Sequence, residues 1–303
     1  MAIPYVRGIE FEYGEVQQVS PLIRRVIANN PGPFTYVGTG VYIIGHGEVA
    51  VIDPGPMDET HFAALKKALE GETVTHVLVT HGHSDHSPLA APLAEWAGCK
   101  TYAKNCGVPT AKGELGSADD LGFMPDVMVA DGDTFTGPGW TLDVIETPGH
   151  TCNHLCFALR EENACLSGDH IMGWSTTVVA PPDGDMADYM DSLEKIRVNG
   201  FETLWPTHGD PVRGKDFVNE FITEYAKHRR AREAAILEHL RNGQTSIPAM
   251  VEIMYADVEK RLHPAAAMSV LGHMIALIKT GVVVSPDAEP TVRSRFELVR
   301  TVA

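Results

Sequence analysis

The sequence is short of basic residues. Its 303 residues carry 24 Lys and Arg against 40 Asp and Glu, a formal net charge of −16. Phosphate backbones are bound through Lys and Arg, so this deficit excludes tight, nonspecific polyanion binding over the surface as a whole. Long apolar runs are missing too. No stretch approaches the ~18 uninterrupted apolar residues of a membrane span, and no membrane association is expected. The opening residues, Met1-Ala2-Ile3-Pro4-Tyr5-Val6-Arg7, show no basic stretch followed by an apolar one, so no signal peptide is expected. The five cysteines, Cys99, Cys106, Cys152, Cys156 and Cys165, are an odd number scattered through a long chain. That is not a disulfide framework, and it points to a reducing cytoplasm. There is no internal repeat, no low-complexity tract and no Gly-x-Ser-x-Gly elbow, which disfavours a serine hydrolase.

The remainder is the composition of a globular chain, 44% hydrophobic and 21% charged. Its length suits two domains or one large one. The first two-thirds alternate strand-like and helix-like segments. Val41–Ile44 and Val49–Ile52 are β-rich runs around the hairpin signal Gly45-His46-Gly47-Glu48. A helix is predicted over His61–Leu69, a buried strand over His76–Thr80 and a second helix over Leu89–Ala97. Further strands are predicted at Thr141–Thr147, Leu155–Leu159, Ala164–Leu166 and Thr203–Trp205. Such a pattern implies sheets covered by helices. After Gly214 the character changes to three helical segments, Asp216–Leu240, Ile247–Tyr255 and Ala265–Ile278, followed by strand-like Val282–Val284 and Val292–Val299. Three helices and a two-stranded ribbon are the order of a winged-helix module. The expected domains are therefore 1–214 and 215–303.

The strongest chemical signal is Thr80-His81-Gly82-His83-Ser84-Asp85-His86, placed where an apolar strand gives way to a helix. Imidazole nitrogens and carboxylate oxygens suit Zn²⁺, and also Fe and Mn. The ends of buried strands are where α/β proteins build sites. The same pattern of apolar strand, small residues and ligand recurs at His150 in Thr147-Pro148-Gly149-His150, at Asp169 in Ser167-Gly168-Asp169 and at His208 in Pro206-Thr207-His208-Gly209. Seven ligands suffice for two ions that share a carboxylate and keep positions open for water. Cys152 and Cys156 flank His154, but a small-apolar role on a loop and a buried strand is the preferred reading of that spacing.

These motifs, in this order, resemble the metallo-β-lactamase superfamily over roughly residues 15–214. The resemblance implies a four-layer αβ/βα sandwich with metals along one edge. It implies that His81, His83 and His150 hold one metal, that Asp85, His86 and His208 hold the other, and that Asp169 bridges them. Asp53, in Ile52-Asp53-Pro54-Gly55, matches a family aspartate expected to orient a ligand from behind. Asn29–Thr35, Gly168-Asp169-His170, Pro182–Met186 and the winged-helix-like tail resemble the β-lactamase-like protein 2 subfamily. That group includes endoribonucleases, and related fungal members are thioesterases that release polyketides from carrier proteins. Thr207 stands before His208 where many relatives have Gly.

The implied chemistry is hydrolysis by two zinc ions, with Fe or Mn as alternatives, holding a bridging hydroxide as nucleophile. Asp85 is the expected proton acceptor, and His170 is expected either to contact substrate or to be a buried neighbour of Asp169. Persulfide dioxygenases of the superfamily resemble mononuclear iron sites, and flavodiiron proteins carry Glu where His83 stands; His83 and the second ligand set favour a dinuclear hydrolase. The expected substrate is a small-molecule or carrier-bound thioester or ester. A ribonuclease is the alternative, and a non-catalytic winged-helix binding protein with structural metal is the third reading. The segments Asn105–Asp133 and Trp174–Tyr189 are expected to frame the cleft. Residues 1–214 hold 12 basic and 29 acidic residues, whereas 215–303 hold 12 and 11. The tail, with Lys227-His228-Arg229-Arg230 and Arg232, is thus where RNA contact is expected if there is any.

Overall fold

The computed structural model describes residues 3–105 and 123–299. Alternation along the strands builds the layers. In Gly40–Ile44, Tyr42 and Ile44 face one core while Val41 and Ile43 face another. Glu48–Ile52 repeats the division with Ala50 and Ile52 against Val49 and Val51. A period of two with both faces apolar requires cover on both sides.

Seven strands form the first sheet in sequence order, from Gln17–Gln18 to Val127–Met128. Its early neighbours are antiparallel, and the pairings from Glu48–Ile52 onward are parallel. The second sheet has six strands, from Thr134–Gly137 at one edge to Val212–Arg213 at the other. The two sheets enclose one core, where Leu78 of the first meets Phe157, Leu166 and Trp205 of the second. Burying apolar side chains of this size contributes ~1.5–3 kcal/mol each.

Helices cover the outer faces. Glu59–Ala68 (α1) and Ala90–Ala97 (α2) bury Leu65 and Leu93 against the first sheet. Met186–Asn199 (α3) buries Tyr189, Leu193 and Ile196 against the second. Lys215–Arg241 (α4) serves two cores. Its first half packs Val218, Phe221 and Tyr225 on the second sheet, and its second half gives Ile236 and Leu240 to a C-terminal cluster. Ile247–Met254 (α5) and His263–Lys279 (α6) complete that cluster, beside a ribbon of Val283–Val284 paired antiparallel with Glu297–Leu298. The segment Lys260–Lys279 is long and apolar enough, by length and composition, to cross a membrane. Here Val270, Leu271, Met274 and Leu277 form part of the C-terminal core.

The αβ/βα architecture and the three-helix tail agree with expectation. The sequence reading passed over the strands Ile23–Ile27 and Lys100–Ala103 and the helix α3. Ile23–Ile27 carries the adjacent pair Arg24-Arg25, which masks its alternation. Arg24 escapes the core through an ion pair with Glu72 at 2.7 Å. Helix α3 mixes Asp188, Asp191, Glu194, Lys195 and Arg197 among its apolar residues, which blurs its apolar face, and it starts on an Asp185 side chain that accepts the N–H groups of Ala187 and Asp188.

Candidate metal centre

The expected ligands lie at strand ends along one edge of the sandwich, where the two sheets meet. His81, His83, His150 and Asp169 form one group that could hold a metal ion; Asp85, His86 and His208 form another. Asp169 stands between the groups. One of its oxygens is 3.6 Å from His86 Nε2 and 3.4 Å from His208 Nε2, and the other is 3.8 Å from His150 Nε2.

Hydrogen bonds on the outward nitrogens fix the tautomers. A carbonyl can only accept, so His150 Nδ1 donates to Val178 O at 2.6 Å and His208 Nδ1 donates to Gly38 O at 3.1 Å. His86 Nδ1 is 2.8 Å from Asp53 Oδ2. Thr80 Oγ1 donates to Asp53 Oδ2 at 2.7 Å, which leaves it to accept from His81 Nδ1 at 3.0 Å. Each of these four rings therefore turns Nε2 inward. His83 alone presents Nδ1, which is 2.8 Å from His81 Nε2 and 3.2 Å from His150 Nε2. Three ring nitrogens that face one another can share at most one proton, so lone pairs converge on one point.

This donor set fits divalent cations. A carboxylate or backbone carbonyl that accepts the other ring N–H is the usual outer partner of a metal-binding histidine. His86 Nε2 and Asp169 Oδ1 are buried and have no hydrogen-bond partner, and an ion or its water between them would supply one.

Charge divides the cluster. Burial and the neighbouring His86, His83 and His150 push the His81 pKa well below its ordinary value. Burial and His150 push His83 down to about 3. Burial would also depress His86 and His208, but the facing carboxylates outweigh it. Asp85, Asp169 and Asp53 raise His86 well above the usual range, and Asp169 and Asp85 raise His208. Burial in turn would raise the two carboxyls, yet His86 and His208 hold Asp85 and Asp169 low.

Asp53 is the hub behind the second group. It is fully buried at a positive φ of 50°, a conformation Asp tolerates better than most residues. Besides His86 and the Thr80 hydroxyl, its carboxylate accepts the Thr80 N–H at 2.8 Å and the Thr207 hydroxyl at 3.1 Å.

Two glycines permit the close approach. A Cβ on Gly149, at φ 134°, would lie 2.3 Å from the Tyr189 backbone, so only glycine lets the His150 loop rest on α3. A Cβ on Gly168, before Asp169, would lie 2.7 Å from His154 Nε2.

His154 is the functional residue that spacing did not reveal. Its Nε2 accepts the Asp169 N–H at 3.1 Å, so its Nδ1 carries the proton, toward Thr147 Oγ1 at 2.8 Å. Burial and His170 keep it neutral by pushing its pKa well down. The available signal was a polar residue at the start of an otherwise apolar strand, His154 before Leu155–Leu159.

The Cys152/His154/Cys156 triplet makes no thiolate site. Cys152 is disulfide-bonded, a departure from the reduced cysteines expected, whereas Cys99, Cys156 and Cys165 are free. His170 is fully buried and packs on Tyr189, with ring centroids 5.0 Å apart. Neither of its ring nitrogens makes a hydrogen bond, and burial pushes its pKa down to about 3. Of the segments expected to frame the cleft, residues 106–122 lie outside the described residues. In the other, Asp183 Oδ1 accepts the Cys152 N–H at 3.0 Å and Asp185 pairs with Lys279 of α6. The basic run on α4 is split, with Arg229 buried, Arg232 and His228 half-buried, and Lys227 and Arg230 exposed. Arg229 is buried over the Tyr189 ring, Arg232 stacks on Tyr255, and Lys227 pairs with Glu224 at 2.6 Å.

A sandwich edge with these seven side chains defines a class, and comparison with known proteins agrees. Residues 36–208 match the metallo-beta-lactamase superfamily, and residues 246–289 match the beta-lactamase associated winged helix domain. The chain belongs to the metallo-beta-lactamase superfamily and is a hydrolase of that fold, which implies divalent metal binding. More particularly, it is 32% identical over 280 residues to a beta-lactamase-like protein 2 homolog of Caenorhabditis elegans, covering 90% of both chains. It is 31% identical over 229 residues to an atrochrysone carboxyl ACP thioesterase of Claviceps purpurea, covering 75% of this chain and 67% of that one. Among solved structures, a beta-lactamase domain protein from Burkholderia ambifaria superposes with a TM-score of 0.77 over 94% of both chains, at 21% identity. That last likeness is one of fold.

Proposed function

We propose that the protein is a dinuclear zinc hydrolase of an acyl compound, a thioester or ester borne by a small molecule or a carrier protein. The observation that carries this reading is Asp169, poised between two donor groups whose inward nitrogens are already set by outward hydrogen bonds. His81, His83, His150 and Asp169 would hold one ion, and Asp85, His86, His208 and the shared Asp169 the other. When bound, such ions supply an acidified water and an electrophile for the carbonyl oxygen.

The chain's own groups do the rest. Asp85 is the more open carboxylate, with its side chain 24% exposed against 11% for Asp169. In this arrangement Asp85 Oδ2 faces His208 Nε2 at 3.1 Å within the donor group, so Asp85 would offer one oxygen to an ion and keep the other to accept a proton from water. His81 and His83 remain neutral donors on the other side and move no proton. A closed structural site would bury all its ligands, so the accessible Asp85 supports catalysis over a structural metal.

The acyl reading draws support from the thioesterase name of a relative and from the engagement of Arg229 and Arg232 with Tyr189 and Tyr255 rather than with solvent. A nuclease would be expected to present them to phosphate. Two measurements test the proposal. Elemental analysis of protein purified without chelator should give two zinc ions per chain; one iron per chain would sink it. A panel of thioesters, esters, lactones, β-lactams and single-stranded RNA should then show acyl hydrolysis that Asp85→Ala abolishes. RNA cleavage abolished by Asp85→Ala, with no acyl hydrolysis, would replace the acyl reading with the nuclease one.

A further inference from the structure

We propose that Tyr225 and Arg229 of α4 are positioning residues for the metal centre, acting through the strap Ser175–Val179. The inference rests on the reading of His150 and Asp169 as ligands. It assigns the C-terminal helices a part in metal binding that neither similarity nor sequence pattern supplies.

Three consecutive residues of the strap carry the connection. The Thr177 N–H donates to Tyr225 Oη at 3.0 Å, and the Thr177 carbonyl accepts from Arg229 Nη2. The Thr177 hydroxyl donates to the carbonyl of Asp169 at 2.6 Å. The next carbonyl, of Val178, accepts the Nδ1–H of His150 and so fixes which nitrogen that ring turns to the cluster. The carbonyl after it, of Val179, lies 3.0 Å from where a Cβ on Gly272 of α6 would stand. Tyr225 Oη donates in turn to the Ser175 carbonyl at 2.6 Å, which closes the α4 side.

Every polar group of Thr177 is thus engaged. Two engagements face α4, and one faces the backbone of Asp169. Thr177, Tyr225 and Arg229 are all buried. Water therefore cannot replace a missing donor at low cost, and a lost bond is passed on as a shift of the strap. Such a shift moves the Val178 carbonyl, and with it the orientation of His150. The outward partners of His86 and His208, Asp53 and Gly38, lie apart from the strap, so that group feels the shift only through the shared Asp169. A contact that served folding alone would have no reason to act more strongly on one ligand group than on the other.

The test measures stepwise zinc affinity by competition with a chromogenic chelator, and the visible spectrum of the cobalt-substituted protein. Arg229→Met keeps the length of the side chain and removes the donor. It should weaken the step assigned to His81, His83 and His150 by about 10–100-fold, the usual effect of losing an outer partner of a ligand, and perturb the cobalt spectrum. The step assigned to Asp85, His86 and His208, which meets the strap only through the shared Asp169, should change less. Arg229→Lys should restore part of the loss, and Tyr225→Phe, which removes one hydroxyl, should reproduce it in smaller measure. If Arg229→Met fails to fold, Tyr225→Phe and Gly272→Ala carry the test. Variants with lower thermal stability but wild-type affinities and spectra would overturn the inference. His150→Ala separates this from failure of the underlying reading. If it keeps both zinc equivalents, His150 is not a ligand and the reading itself fails. If it loses one equivalent while the α4 and α6 variants change nothing, only the positioning inference fails.

Discussion

The two halves of the metal cluster reach readiness by opposite routes. His81 and His83 are kept neutral by burial and by one another, so their donor nitrogens need shed no proton before binding a cation. His86 and His208 face Asp85, Asp169 and Asp53, and in the metal-free protein they carry the protons that balance those carboxylates. One half is a preformed set of lone pairs, and the other is an ion-paired set that must exchange protons for metal. The difference teaches that a ligand's electrostatic neighbours, as much as its type, decide what binding costs.

The largest effect should come from the residue that the halves share. Asp169→Ala should remove metal from both and lower turnover by about three orders of magnitude, equivalent to about 4 kcal/mol of barrier. Metal content and kcat of the same preparation check this. Retention of one full equivalent would show that the halves are independent and that Asp169 belongs to only one of them.

Asp53→Asn ranks next and should act on one half. The amide keeps the volume but loses charge and acceptor capacity toward Thr80, His86 and Thr207. The affinity of the Asp85/His86/His208 step should fall by about 10–100-fold. Equal losses in both steps would mean that Asp53 supports the whole edge rather than His86.

A pH series sharpens the contrast without any substitution. His86 and His208 have raised pKa values in the metal-free protein, so protons compete with the ion at that half, and the competition disappears only as pH rises through those values. His83, pushed down to about 3, offers no such competition near neutrality. Calorimetry at pH 7 in buffers of different ionisation enthalpy should therefore assign proton release to one step and almost none to the other. The same shifts set the stability of the metal-free protein. The contribution of His86 and His208 is complete below their unfolded pKa of about 6.5 and is lost as pH rises through the raised values. That of Asp85 and Asp169 is complete above their unfolded pKa of about 4 and is lost as pH falls through the lowered values. The buried His81, His83, His154 and His170 have the opposite sign, since their lowered pKa values make stability fall as pH drops below their unfolded value. The metal-free chain should accordingly be most stable near about pH 6.5 and lose stability on either side. Proton release shared equally by the two steps would break the comparison.

The candidate ligands were legible as a set, because each stands at or just past the end of an apolar strand. The layers were legible where both faces of a strand are apolar, as in Gly40–Ile44 and Glu48–Ile52. Ile23–Ile27 was hidden because Arg24 and Arg25 break its apolar run, although Arg25 is itself buried. The outward partners were not legible. Val178 and Gly38 serve through carbonyls, which every residue has, and Tyr225 and Arg229 lie far along the chain from the groups they hold. A cation run on α4 read naturally as a solvated or RNA-facing surface. Only packing reveals that Arg229 lies beneath the strap.

The hub at Asp53 left one trace in the sequence, a threonine immediately before a ligand histidine in both Thr80-His81 and Thr207-His208. Both hydroxyls end on the same Asp53 oxygen. They are not equivalent, since Thr80 also donates its N–H to Asp53 and accepts from His81, whereas Thr207 gives the hydroxyl alone. Thr207→Val, which keeps the shape and removes the hydroxyl, should therefore be the mildest of these changes. The expected loss is one hydrogen bond to a charged acceptor, about 1.5–3 kcal/mol at most, and less to the extent that His86 and Thr80 tighten on the freed lone pair. Thermal unfolding should register it, and zinc titration should show a shift of a few-fold, confined to the Asp85/His86/His208 step. A loss as large as that of Asp53→Asn would mean that the threonine, rather than the aspartate, organises this half of the site.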